Sequence, residues 1–119
     1  MKKNHRTRLL LCASAAVLLA GCASAPQPLY QWESYQTQVY DYFKGESKEK
    51  QIEALERDLE KMRAKNHVAP PGVQAHLGLL YAEVGNDGKA AEHLAAEKAL
   101  YPESAAYIDF LLKKYAKAN

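Results

Sequence analysis

The apolar positions change rhythm along the 119 residues, and each rhythm predicts an element. Residues 9–20 form an apolar run interrupted only by Ser14. At 12 residues, about 18 Å of helix, it is too short for a bilayer core that needs about 20. In residues 30–43, Trp32, Tyr35, Val39 and Phe43 stand at offsets of 0, 3, 7 and 11, the spacing of a helix face, with Trp32, Val39 and Phe43 as its core positions. Ile52, Leu55, Leu59 and Met62 repeat as 3, 4, 3 and give a narrow seam on a second helix over about 48–65. Leu77, Leu80, Tyr81 and Val84, with Gly78 on the same side, predict a third helix ending near 84. Ala90, Ala91, Leu94, Ala95 and Ala99 predict a small-residue surface on a fourth, over 89–100. Ile108, Leu111, Leu112 and Tyr115 predict a fifth over 104–116. The fold expected is all-α, built as helical hairpins from about five helices.

The breaks between these segments have local causes. Gly45 can end the first helix, Ser47 can cap the second, and Glu49 in its first turn favours the helix dipole. Glu53 stands four residues before Arg57, a supporting pair on the exposed side. Pro70 and Pro71 cannot continue a helix, and Gly85-Asn86-Asp87-Gly88 reads as a turn. Tyr101-Pro102 closes the fourth helix, and Lys113, Lys114 and Lys117 complement the dipole at the end of the fifth.

Charge changes the reading of the first block. Lys2, Lys3, Arg6 and Arg8 precede the apolar run, and Leu19-Ala20-Gly21-Cys22 follows it. A positive head, a short apolar stretch and small residues before a cysteine are the pattern of a lipoprotein signal peptide. Cleavage falls between Gly21 and Cys22, and the Cys22 sulfur takes a diacylglyceryl group before its new amino terminus takes an N-acyl chain. These covalent chains are the only cofactor-like groups expected, and they hold the protein far better than a single chain would. Ala23 after the cysteine, rather than aspartate, resembles cargo passed to the outer membrane, facing the periplasm. The organisation is then 1–21 signal peptide, 22–29 lipidated tether and 30–119 helical domain. Removing the four leading cations leaves 12 basic against 14 acidic residues, net −2. That balance gives no reason to expect nucleic acid as partner. Cys12 falls in the removed segment, so no disulfide is expected.

Residues 72–102 carry Leu77-Gly78, Tyr81, Gly85, Ala90, Leu94 and Pro102 at spacings that resemble a tetratricopeptide repeat, a helical hairpin of about 34 residues. Gln74 and Glu97 depart from that pattern, Glu97 standing where a small residue is usual and either reaching solvent or bonding into the next turn. Residues 30–68 look like a degenerate copy. Taken with the Tyr30-x-Trp32-x-x-Tyr35 and Tyr40-x-Tyr42 aromatics and Tyr101-Pro102-Glu103-Ser104, the mature chain resembles the DUF4810 family of small bacterial lipoproteins. The resemblance implies no assigned activity. It implies a shared envelope complex, because members tend to be encoded beside a lipoprotein similar to the curli-secretion channel family and another small lipoprotein.

For function, the hydroxyls and imidazoles of Ser47, Ser104, His67, His76 and His93 form no recognised nucleophile arrangement, so no enzyme, metal site or small-molecule substrate is expected. An interaction module fits better. Tyr40 and Tyr42 lie off the first helix's stripe and are candidate partner contacts, since tyrosine is enriched at binding hot spots. Ala75, Leu79, Ala82 and Glu83 would line the groove side of the third helix. Leu79 either anchors a partner segment there or packs under the first hairpin. The expected partners are the membrane, through the lipid, and other envelope lipoproteins; the alternative is a lipid-anchored structural oligomer.

Overall fold

The computed structural model describes Asn4 and residues 28–116. The signal segment, Cys22 and the first part of the tether lie outside the described residues, as do the Tyr115 side chain and Lys117. Among the described residues there are five α-helices and no strand: α1 Tyr35–Lys44, α2 Lys48–Ala64, α3 Val73–Glu83, α4 Asp87–Leu100 and α5 Ala105–Ala116. A single 3₁₀ turn, Pro102–Ser104, joins α4 to α5.

The seam on α2 supplies half of the main buried cluster. Ile52, Leu55, Leu59 and Met62 are all buried and pack with Ala69, Val73, Leu77 and Leu80 from the following loop and α3. Ser47 caps α2 by accepting from the Lys50 backbone N–H at 3.3 Å. Glu53 and Arg57 pair across one turn, as their spacing predicts.

The α3 and α4 helices pack closely, and Gly78 permits it. A Cβ added there would stand 2.9 Å from Leu94 Cγ and 3.1 Å from the Ala90 carbonyl. Ala90 and Leu94 are accordingly buried, but Ala91, Ala95 and Ala99 are exposed, contrary to the small-residue surface expected of this helix. Their places on the inner face are taken by His93 and Glu97, both buried. The turn before α4 is also shorter than expected. Asn86 accepts from the Lys89 backbone N–H at 3.1 Å, so the helix begins at Asp87 rather than Lys89.

In α1 the structure corrects the sequence reading twice. The helix starts at Tyr35, because Ser34 turns its backbone N–H and its hydroxyl onto Asp58 of α2, at 2.9 and 2.5 Å. Its inward face is Tyr35, Gln38 and Tyr42, at offsets of 0, 3 and 7. Trp32 and Phe43, expected in the core, are exposed, Phe43 at 82%, and Val39 is half-buried. The helical spacing is right and the face is rotated. At the other end of the chain Ile108 is fully buried, Leu111 and Leu112 are half-buried, and Lys98 of α4 pairs with Asp109 of α5 at 2.7 Å.

Candidate interaction site

Two kinds of surface meet in this molecule, and the hydrogen bonds separate them. Between α3 and α4 the polar groups, His93 Nε2 excepted, are consumed internally. Glu97 neither reaches solvent nor bonds along its own helix. Its carboxylate accepts from the backbone N–H groups of Gly72 at 2.7 Å and Ala75 at 3.2 Å, capping α3 from the neighbouring helix. Gln74 meets His93 Nδ1 at 2.7 Å, and the His93 ring stacks on Tyr81 with centroids 5.4 Å apart. The Tyr81 hydroxyl donates to Glu56, and burial together with that carboxylate pushes the phenol up to about 12. Below them the Tyr101 hydroxyl donates to the Ala69 carbonyl at 2.5 Å, and burial beside Tyr30 pushes its ionisation upward.

Against α3 lies α1, and the sequence-derived candidates fall along this contact. Tyr42 is half-buried: its hydroxyl donates to Glu83 at 2.6 Å, and its ring meets the His76 edge at 5.4 Å. Glu83 also holds Lys48 of α2 at 3.2 Å, so one carboxylate ties three helices. Tyr35 flanks His76 at 6.0 Å from the opposite end of α1, and its hydroxyl would stand 2.7 Å from any Cβ at Gly72. Gly72 has φ of 92°, a conformation that also favours glycine. Leu79 is half-buried and shares a helical face with His76 and Glu83, the face on which α1 lies. Ala75 and Ala82 are half-buried beside it. Burial holds the imidazoles of His76 and His93 below the usual histidine range, in each case against an opposing glutamate. The Nε2 atoms of both are buried without a partner.

What faces outward is aromatic. Tyr40 is 61% exposed, with the Lys44 ammonium 5.3 Å above its ring, and Phe43 stands one turn away. On α5, Tyr107 and Phe110 are each 63% exposed at the same spacing of three residues. The sequence reading singled out Tyr40 but placed Phe43 in the core and passed over Tyr107 and Phe110. The signal that could have found them is an aromatic pair at i, i+3 opposite a face already committed to packing. Of the sequence-derived set, the structure therefore brings Tyr42 and Glu83 together at the α1–α3 contact, leaves Leu79 half-buried on the same face of α3 and Tyr40 apart on the surface; Gly21 and Cys22 lie outside the described residues.

A polar recess of about 200 Å³ is lined by Glu56, Glu60, Arg63, Lys89, Glu92 and His93 with Leu59. Lys89 and Glu92 pair within it at 3.1 Å. Among the described residues no group of three or more histidine, cysteine or carboxylate side chains is placed to hold a metal ion, and no helix is long and apolar enough to cross a membrane.

No curated protein and no solved structure matches the chain. A family model does, over residues 29–111, which takes in every helix through most of α5. This match covers well over half of the chain, and the protein belongs to the family described as Domain of unknown function (DUF4810).

Proposed function

We propose that this protein is an outer-membrane lipoprotein, anchored through acyl chains on Cys22, that acts from the periplasmic side as a helical interaction or assembly factor in an envelope complex. One observation carries the reading: two pairs of large aromatics, Tyr40 with Phe43 and Tyr107 with Phe110, stand exposed on the first and last of the described helices. Aromatic side chains give up much apolar area at low entropic cost when a partner covers them, which is why they dominate interface energetics. Exposed singly they would need no explanation; paired on the two end helices they offer a partner an edge. The lipobox Leu19-Ala20-Gly21-Cys22 supports the anchor, and the tetratricopeptide-like spacing over 72–102 supports stacked hairpins as the scaffold. The partner class that fits is another envelope lipoprotein, with a homologue of the curli-secretion channel family as the first candidate.

The test is photocrosslinking from position 43 and, separately, from position 110 in the lipidated protein in intact membranes. Adducts with a second envelope protein are expected from at least one position and not from position 94, which is fully buried. Adducts only between copies of this chain would replace the accessory reading by that of a structural oligomer. Cys22→Ala is expected to leave the precursor unprocessed; processing at the wild-type position would remove the anchor from the reading.

A further inference from the structure

A third apolar surface lies where the described chain begins. Leu29 is 87% exposed, Val68 55% and Leu100 42%. They border two adjoining recesses, of about 320 and 260 Å³, that share His67 and Val68. Pro28, Leu29 and Tyr30 line the first; Met62, Ala69 and Leu100 line the second. No acidic residue occurs between Glu60 and Glu83, and the stretch carries the exposed cations Arg63, which lines the second recess and also borders the recess of Glu56, Glu60 and Glu92, and Lys65, next in sequence to Asn66 of the first.

We infer that this edge rests on the lipid surface, with Leu29 and Val68 in the interfacial layer and Arg63 and Lys65 over anionic headgroups. The inference rests on the lipid anchor proposed above and adds to it an orientation. Five residues, 23–27, lie between Cys22 and Pro28, and the six steps from one to the other, at no more than about 3.6 Å each, span at most ~22 Å. Pro28 is part of the recess wall, so the tether keeps this edge within that reach of the bilayer. Apolar side chains rimmed by cations are the composition that lies in an interface, where apolar burial and attraction to acidic lipid act together. A chain-length limit and a charge pattern thus select the membrane over a protein as the occupant of this patch.

The chain contains its own probes. Trp32 is the only tryptophan, is 39% exposed, and lies 6.1 Å from the Tyr30 ring. Beyond the signal segment Cys22 is the only cysteine, so Val68→Cys introduces one reactive thiol once Cys22 is acylated. The full lipidated protein is placed in vesicles of phosphatidylethanolamine and phosphatidylglycerol, with or without brominated acyl chains. With the apolar edge at a depth of about 5–10 Å, bromine is expected to lower Trp32 emission about twofold, and a polarity-sensitive dye at position 68 to shift to the blue. The double variant Leu29→Glu, Val68→Glu, which alters only exposed positions, is expected to restore the emission while circular dichroism is unchanged. Emission indifferent to bromine together with an unshifted dye, in protein whose acylated Cys22 is verified by mass, overturns the orientation and leaves the anchor standing. Absence of acyl chains overturns both. Emission that follows protein density rather than bromine assigns the edge to a second copy and overturns the membrane assignment.

Discussion

The α3–α4 hairpin and the α1 helix are built from helices of ordinary length, yet they use polar groups in opposite ways. Along α4 the inward positions are Ala90, His93, Leu94 and Glu97, so apolar contacts alternate with committed hydrogen bonds, and Tyr101 closes the row. Along α1 only Gln38 is buried, and the helix leans on its neighbours through Tyr35 and Tyr42 while Tyr40 and Phe43 remain outside. The hairpin is sealed; the end helix is docked. Polar groups satisfied internally leave little for a partner, whereas α1 keeps an outward face of exposed aromatics.

Substitutions should separate the two regions most sharply in the hairpin. Leu94→Ala removes a fully buried side chain that touches Gly78, and about 2–5 kcal/mol of stability is expected to go with it in urea unfolding. Glu97→Ala strands the N–H groups of Gly72 and Ala75, at a cost of about 1–3 kcal/mol for each unpaired group, and Glu97→Gln, which keeps an acceptor, should recover part of it. Should the glutamine variant be as damaged as the alanine, the helix-dipole contribution of the charge outweighs the hydrogen bonds.

Acid offers a gentler probe of the same contrast. His76 and His93 have folded-state values held down by burial, so the unfolded chain takes up protons first as pH falls below about 6.5. Stability is therefore expected to decline from near pH 6.5 downward and to level off once the folded imidazoles charge. A second decline comes at lower pH. Burial raises the Asp58 carboxyl, but bonds from Ser34 and Lys61 outweigh it and hold the group below its ordinary range, so its contribution is present above about pH 4 and lost as the folded group protonates. Urea midpoints across this range, with His93→Gln as the comparison, would show whether the hairpin imidazole carries the first decline.

The smallest effects belong to the outer faces. Tyr42→Phe deletes a solvent-accessible hydrogen bond to Glu83 and should cost no more than about 1.5 kcal/mol. Phe43→Ala and Phe110→Ser should change stability by less than about 0.5 kcal/mol, while lowering crosslinking to a partner from the same helix. A large loss of stability at Phe43 would erase the distinction between docked and sealed.

These differences also explain what could be read in advance. The α2 seam was legible because its four apolar residues are separated by charged ones, leaving a single face that can be buried. Gly78 was legible for a similar reason, standing alone among large residues. The face of α1 was not, since six aromatics in fourteen positions supply more than one apolar stripe, and only the helix it docks against selects between them. Glu97 was not either: its partners lie 25 and 22 residues away and are backbone groups, which leave no mark in the sequence. Alanines carried too little direction to show which side of α4 faces in. The candidate set suffered the same loss, because Tyr42 and Glu83 satisfy each other while Phe43 stands free of the core.

Glu97 has one more consequence. Two smooth apolar helices can slide past each other by a turn, about 5.4 Å, and find contacts nearly as good. This pair cannot, for a slip of one turn would strand a carboxylate, an imidazole, a phenol and two backbone N–H groups at once. The polar row works as a ratchet pawl: it fixes a single alignment of α3 on α4, so damage to the hairpin melts it rather than letting it settle into a neighbouring notch.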